Sequence, residues 1–142
     1  MSIRLALPRQ TIEKFSKIDD LEEYKKAVWD QVKPNEIDVY LNRVLCAVYF
    51  TAEKTKGGII RPVDNLAEDI WQGKICLVLK VGPTAFQDSN DIQFGGMSVE
   101  PGDWISFRIN HGAQVEYNHY PCRIVSDHFI ETRLKDPRIL TS

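Results

Sequence analysis

Short β-rich runs from residue 37 onward are the feature that most restricts how this chain can fold. They are rich in β-branched and aromatic residues, and turn signals rather than helical patterns separate them. The predicted strands are Val44–Phe50, Lys74–Val81, Trp104–Ile109, Pro121–Val125 and Phe129–Leu134. Several short strands without intervening helices favour a mostly β protein, built as an antiparallel barrel or sandwich.

Turn residues support the ends of these strands. The tetrapeptide from Glu100 to Asp103 contains Pro-Gly at its centre and immediately precedes Trp104. Gly82-Pro83 ends the second predicted strand, and Asp136-Pro137 ends the last one. The strands are therefore delimited by turn chemistry of their own.

The segment before the strands has helical periodicity. Within residues 18 to 32, apolar side chains recur at helical spacing, acids lie in the first turn, and Lys33-Pro34-Asn35 ends the pattern. The apolar positions are Ile18, Leu21, Tyr24, Val28, Trp29 and Val32. We therefore expect an amphipathic helix over about 18–32, packed either on the chain's own body or on a partner.

Two long loops interrupt the strands, one from about Thr51 to Gln72 and the other from about Thr84 to Val99. Loops of this length are uncommon in compact domains and usually carry function or are disordered. The first contains Gly57-Gly58-Ile59-Ile60 between charged flanks. A glycine hinge that presents an aliphatic pair is typical of a docking peptide, although a buried strand start after a diglycine turn has the same pattern.

Composition places the chain among intracellular globular proteins. A chain of 142 residues with a net charge of −2 predicts one domain with no general attraction to nucleic acid or to anionic membranes. Neither a signal peptide nor a segment able to span a bilayer is expected. The three scattered cysteines, Cys46, Cys76 and Cys122, lie in strand-like runs and are expected to be buried free thiols.

Catalytic chemistry finds little support in the sequence. His111, His119 and His128 lack the spacing of a zinc-binding helix, and two of them, His111 and His119, are expected to lie in solvated turns. No nucleophile elbow, phosphate-binding loop or dinucleotide fingerprint is present. We therefore expect a non-enzymatic interaction protein that holds neither a metal nor a cofactor.

The order of the motifs makes the fold more specific. Four segments follow one another: Leu41-Asn-Arg-Val-Leu, Lys54-Thr-Lys-Gly-Gly-Ile-Ile, Gln72-Gly-Lys-Ile-Cys-Leu-Val-Leu-Lys-Val-Gly and Val99-Glu-Pro-Gly-Asp-Trp-Ile-Ser-Phe. Their order resembles that of GroES, the bacterial co-chaperonin, and of related proteins encoded by tailed phages. The resemblance covers about residues 37–135, and it implies an irregular antiparallel β-barrel domain at 37–142 after an N-terminal extension at 1–36.

The resemblance also implies a function and its sites. In that family, a mobile loop docks between apical helices of the large chaperonin ring, and Gly57, Gly58, Ile59 and Ile60 match the start of that loop. Family members form sevenfold rings through terminal strands, for which Phe129–Leu134 is the matching edge here. The segment Thr84–Val99 matches the family's roof hairpin, which would place Asp88 and Asp91 near the ring axis.

Two departures from the family leave an alternative open. Arg61-Pro62 follows the isoleucine pair where the family has a third aliphatic residue, and the amphipathic front is not a family feature. The first hypothesis is a cytoplasmic co-chaperonin lid that contacts the large chaperonin through the 54–62 loop. The alternative is a phage virion protein, a capsid decoration or head component, on the same fold.

Overall fold

A single antiparallel sheet forms the body of the protein. The computed structural model describes residues 9–50, 75–108 and 110–139. The six strands lie in the order β4-β5-β1-β2-β3-β6. They are β1 (Arg43–Val48), β2 (Ile75–Val81), β3 (Trp104–Phe107), β4 (Ala113–Tyr117), β5 (Tyr120–Ser126) and β6 (Ile130–Leu134). The expected mostly β, antiparallel fold is confirmed, but β4 and β6 are not paired within the described residues, so this sheet is not closed.

Strand positions follow the sequence predictions closely, with shifts at the ends. Strand β1 ends at Val48 rather than Phe50, and β3 ends at Phe107, while Ile109 lies outside the described residues. The last strand begins at Ile130 because a short 3-10 helix occupies Asp127–Phe129. Strands β1 and β3 are shorter than predicted because their backbone pairing stops before the apolar run does.

One hairpin was not predicted. Strand β4 pairs with β5 through a two-residue turn, Asn118-His119, whose φ angles are 49° and 66°. A turn of this hand usually contains glycine, and its absence here removed the usual sequence signal. The turn is held from outside, since Asn118 Nδ2 donates to the carbonyl of Val32 at 3.0 Å.

Two helices precede the sheet. Helix α2 spans Leu21–Val32, and Asp20 caps it by accepting a hydrogen bond from the Glu22 amide at 2.9 Å. It ends where Lys33 adopts a φ of 57° before Pro34. The predicted helix over 18–32 is thus confirmed with a start three residues later. Helix α1, Arg9–Ser16, was not predicted.

The helices and the sheet share one hydrophobic core. Five helix side chains, Ile12, Phe15, Tyr24, Val28 and Val32, are buried in the same cluster as β1, β2, β3 and β5. The ring of Phe15 lies 5.3 Å from that of Tyr24 and 4.7 Å from that of Tyr120, both in edge-on geometry. The N-terminal extension therefore packs on the chain's own sheet. The predicted boundary at residue 36, between this extension and the β-barrel domain, stays a prediction.

A lysine ties the connection between helix and sheet to the body of the protein. Lys80 Nζ, on β2, donates to the carbonyl of Ile37 at 2.6 Å and lies 3.5 Å from the carbonyl of Pro34. This holds residues 34–37 against the sheet and so fixes the approach of the chain to β1. Among the described helices, neither has the length and apolar character needed to cross a membrane.

Candidate functional site

The predicted docking peptide, Gly57, Gly58, Ile59 and Ile60, lies outside the described residues. Its two attachment points are described. Strands β1 and β2 are antiparallel neighbours with Val48 opposite Cys76, and the Tyr49 amide donates to the Ile75 carbonyl at 3.0 Å. The segment 51–74 therefore connects neighbouring ends of β1 and β2, and its role as a docking loop stays a prediction.

An exposed apolar pair lies just before β1. The side chains of Tyr40 and Leu41 are 73% and 64% exposed, and Leu41 adopts a left-handed backbone with a φ of 57°. The Leu41 carbonyl accepts from the Thr84 amide at 3.1 Å, and a β-carbon on Gly82 would lie 2.2 Å from that oxygen. Close backbone contact with Gly82 thus holds this pair at the surface.

The segment 84–99, which resembles a roof hairpin, contains no strand. Its tip is held by local hydrogen bonds, since the Ser89 amide donates to the Ile92 carbonyl at 2.8 Å. Asp88 accepts from the Phe94 amide at 2.7 Å and closes the base of this turn, while Asp91 is exposed at the tip. We call residues 84–99 the roof loop. Asp88 is therefore a structural acceptor, whereas the place of both aspartates in a ring stays a prediction.

A groove of about 330 Å³ lies between the roof loop and β6. Its apolar lining comes from both elements: Phe86, Ile92, Phe94, Met97 and Val99 from the loop, and Ile130 from the strand. The rings of Phe86 and Phe94 are 5.5 Å apart, and Met97 is 66% exposed. At the far end, Arg133 donates to the Ser98 carbonyl at 3.2 Å. The roof loop therefore lies along β6 instead of standing apart from the sheet.

The other end of the roof loop is fixed by Asp127, which is 5% exposed. One carboxylate oxygen accepts from the Phe86 amide at 2.8 Å, and the other accepts from Asn42 Nδ2 at 3.0 Å. Burial alone would raise the pKa of the Asp127 carboxyl, but the hydrogen bonds from Phe86, Asn42 and His128 outweigh it and lower the pKa. The carboxylate is therefore held in its charged form at neutral pH.

Sequence reasoning did not identify Asp127. An aspartate that follows a strand is ordinarily a turn residue, and Ser126-Asp127 has that appearance. Its partners lie 85 and 41 residues away along the chain. Only the antiparallel pairing of β5 with β1 brings Asn42 to it, because Arg43 lies opposite Ser126.

Strand β6 forms one end of the described sheet. It pairs with β3 on one side, where Thr132 lies opposite Ser106 and their hydroxyls are hydrogen bonded. Within the described residues, no strand pairs with its other side. The residues from Glu131 to Arg133 are exposed. A free strand edge with exposed polar side chains can accept a further strand through backbone hydrogen bonds.

The histidines and cysteines have structural environments. Burial is the main cause of the raised pKa of the Cys46 and Cys122 thiols, which disfavours the nucleophilic thiolate. His119 lies exposed in its turn, as expected, whereas His111 is half-buried and stacks on Phe129 at 4.1 Å. The expectation of a solvated turn was therefore wrong for His111. Within residues 9–50, 75–108 and 110–139, no group of histidine, cysteine and acidic side chains has the arrangement of a metal site.

Comparison with known proteins identifies the family. A search of curated proteins found no significant match to this chain. The family model described as "Cpn10: Chaperonin 10 Kd subunit" matches residues 36–132, which is more than half of the chain. The match begins after α2 and contains β1, β2, β3, the roof loop, Asp127 and the start of β6. The chain belongs to the chaperonin 10 family.

Proposed function

We propose that this protein is a co-chaperonin lid that docks on a large chaperonin ring through its 54–62 loop. The family match over residues 36–132 is the observation that carries the proposal, because it includes both the loop and the sheet that presents it. The position of the loop between paired ends of β1 and β2 supports it. In this role the protein assists folding without an active site, a metal or a cofactor of its own, and acts in the cytoplasm.

The contact residues are Gly57, Gly58, Ile59 and Ile60. Burying two isoleucine side chains in an apolar groove gives about 3–6 kcal/mol of gross free energy. Ordering the loop costs a large part of this, so one copy binds weakly. A ring of identical subunits offsets that weakness, because docking of one loop raises the effective concentration of the others.

We further propose that the subunits form a ring in which β6 is one of the contact edges. The free side of β6 and the exposed pair Tyr40-Leu41 support this, since both are available to a neighbouring subunit. Native mass spectrometry of the purified protein tests it. A homo-oligomer of defined size is the expected result, and a monomer at micromolar concentration would contradict the ring.

Co-sedimentation with a bacterial chaperonin in the presence of ATP tests the docking. We expect the wild-type protein to pellet with the chaperonin, and the double variant Ile59→Asp/Ile60→Asp to remain in the supernatant. The matched control is Ile139→Asp, because it places the same charge on an apolar side chain that is 65% exposed and is not part of the 54–62 loop. The proposal fails if the wild-type protein does not pellet or if the double variant pellets equally well.

The alternative is a virion structural protein on the same fold. Arg61-Pro62, in place of a third aliphatic residue, favours it, as does an N-terminal extension outside the family match. This role predicts that the protein co-purifies with assembled capsids and does not bind a chaperonin. The same co-sedimentation experiment, repeated with capsid shells in place of the chaperonin, separates the two roles.

A further inference from the structure

We propose that Asp127 is the positioning residue that joins the roof loop to β6, so that the two elements present one continuous assembly surface. The proposal rests on the proposed ring only for its last consequence, that loss of this joint weakens assembly. The joint itself is a property of the single subunit. Three segments meet at the Asp127 carboxylate: the turn before β1, the start of the roof loop and the corner that leads into β6.

Two hydrogen bonds join Asp127 to the turn before β1. The Asn42 side chain donates to Asp127 Oδ1 at 3.0 Å, and the Asp127 amide donates back to the Asn42 carbonyl at 3.0 Å. This reciprocal pair fixes the corner after β5 against residues 41–42. Leu41 is exposed next to it, so the orientation of the exposed pair Tyr40-Leu41 depends on the same contact.

Asp127 also contacts the roof loop, at Phe86. Phe86 has a φ of 63°, a left-handed backbone conformation that is unfavourable for a residue with a β-carbon. Its amide donates to Asp127 Oδ2 at 2.8 Å. The turn at Phe86 directs its ring toward Phe94, 5.5 Å away, and both rings line the groove. The hydrogen bond to the Asp127 carboxylate therefore stabilises the unfavourable backbone conformation of Phe86, which places the Phe86 ring in the groove.

The roof loop is held beside the groove by two hydrogen-bonded contacts. Asp127 holds the loop at Phe86, and Arg133 holds it at Ser98, which leaves β6 lying between two anchors. The Arg133 contact is exposed, whereas Asp127 is 5% exposed. A charged hydrogen bond at a buried site is stronger than one at the surface. Asp127 is therefore the anchor that determines where the roof loop lies relative to the β6 edge.

Hydrogen exchange of the Phe86 amide, followed by NMR on monomeric protein at low concentration, tests the joint. Asp127→Ala removes both acceptor oxygens, so neither the Phe86 amide nor the Asn42 side chain keeps its partner at this position. We expect Phe86 exchange to be faster by about tenfold or more. The matched control is Asp88→Ala, which removes a carboxylate that accepts from the Phe94 amide within the roof loop, and it should leave Phe86 exchange unchanged.

A swapped pair provides the rescue. In Asn42→Asp/Asp127→Asn, the side-chain amide at 127 donates to the carboxylate at 42, and its oxygen remains free to accept from Phe86. We expect slow Phe86 exchange to return to within about threefold of wild type. Unchanged exchange in the single variant overturns the proposal. So does a double variant that fails to recover, whether its exchange stays fast or it does not fold.

Sedimentation of the same variants tests the last consequence. If the wild-type protein forms a ring, Asp127→Ala should shift the concentration at half-assembly upward by about tenfold, and the swapped double variant should assemble close to the wild-type concentration. A wild-type monomer would refute the proposed ring, while the exchange measurement on the monomer would still decide the role of Asp127. An unchanged assembly concentration in a variant with fast exchange overturns the claim that the joint shapes the assembly surface.

Discussion

The hydroxyl of Tyr24 lies 2.5 Å from the hydroxyl of Tyr120, and this contact joins helix α2 to strand β5 inside the core. The Phe50 amide donates to the Tyr24 oxygen at 3.2 Å, and the Tyr120 hydroxyl donates to the Val48 carbonyl at 2.7 Å. Since Tyr120 donates to Val48, the Tyr24 hydroxyl donates to Tyr120. The two hydroxyls thus form a continuous chain of hydrogen bonds from the Phe50 amide to the Val48 carbonyl, at the end of β1.

Removal of either hydroxyl should destabilise the protein. Tyr24→Phe leaves the buried Phe50 amide without its acceptor, and Tyr120→Phe leaves the Val48 carbonyl without its donor, each at about 1–3 kcal/mol. Because the two groups belong to one chain, the double variant should lose less than the sum. Urea unfolding measures all three. Tyr40→Phe, at an exposed position, is the control and should change stability by less than about 0.5 kcal/mol.

The packing of helix α1 makes a second prediction. Phe15 is fully buried and its ring contacts Tyr24 and Tyr120, so Phe15→Ala should lower the free energy of unfolding by about 3–5 kcal/mol. Glu13→Ala, at an exposed position of the same helix, is the control. Chemical denaturation provides the measurement, and a loss below about 1 kcal/mol for Phe15→Ala would show that α1 does not belong to the core.

The close contact between Gly82 and the Leu41 carbonyl predicts that a larger residue at position 82 destabilises the protein. A β-carbon at residue 82 would lie 2.2 Å from one backbone oxygen and 3.0 Å from that of Arg43, so Gly82→Ala forces the backbone to move. We expect a loss of at least about 2 kcal/mol, measured by thermal and chemical unfolding. In the comparison variant Gly95→Ala, the added carbon has open space and the cost is only that of a φ of 64°, about 1 kcal/mol. Equal effects of the two substitutions would contradict the steric explanation.

The lowered pKa of Asp127 predicts that the free energy of unfolding decreases in acid. Its pKa is lowered on folding from the ordinary value of 3.8, so its contribution is fully present above pH 3.8 and is lost as pH falls through the lower, folded-state value. Asp127→Asn removes this group. The difference in unfolding free energy between wild type and variant should be constant near neutral pH and shrink below pH 3.8. A difference that stays constant into the acid range would show that the carboxylate is not selectively bound in the folded state.

Much of the sheet could be predicted from the sequence, because its strands are local patterns. The run from Ile75 to Val81 is apolar, β-branched and delimited by Gly82-Pro83, so its conformation is encoded where it stands. Helix α2 was predictable for the same reason, from its apolar spacing and its Lys33-Pro34 end. Helix α1 has only two buried apolar side chains, Ile12 and Phe15, over eight residues, too few to establish a helical period.

By itself, the sequence determined the strand segments, the helix before them, the turn from Glu100 to Asp103 and a motif order that resembles a chaperonin family. Only the tertiary structure decided which groups meet. The hydroxyls of Tyr24 and Tyr120 are 96 residues apart along the chain, and the Asp127 and Asn42 side chains are 85 apart. Such pairs leave no local pattern, because what joins them is the pairing of β5 with β1 and the packing of α2 on the sheet. The physical reason is that periodicity reports how one element buries one face, whereas a hydrogen-bonded contact between elements depends on where the whole fold places both.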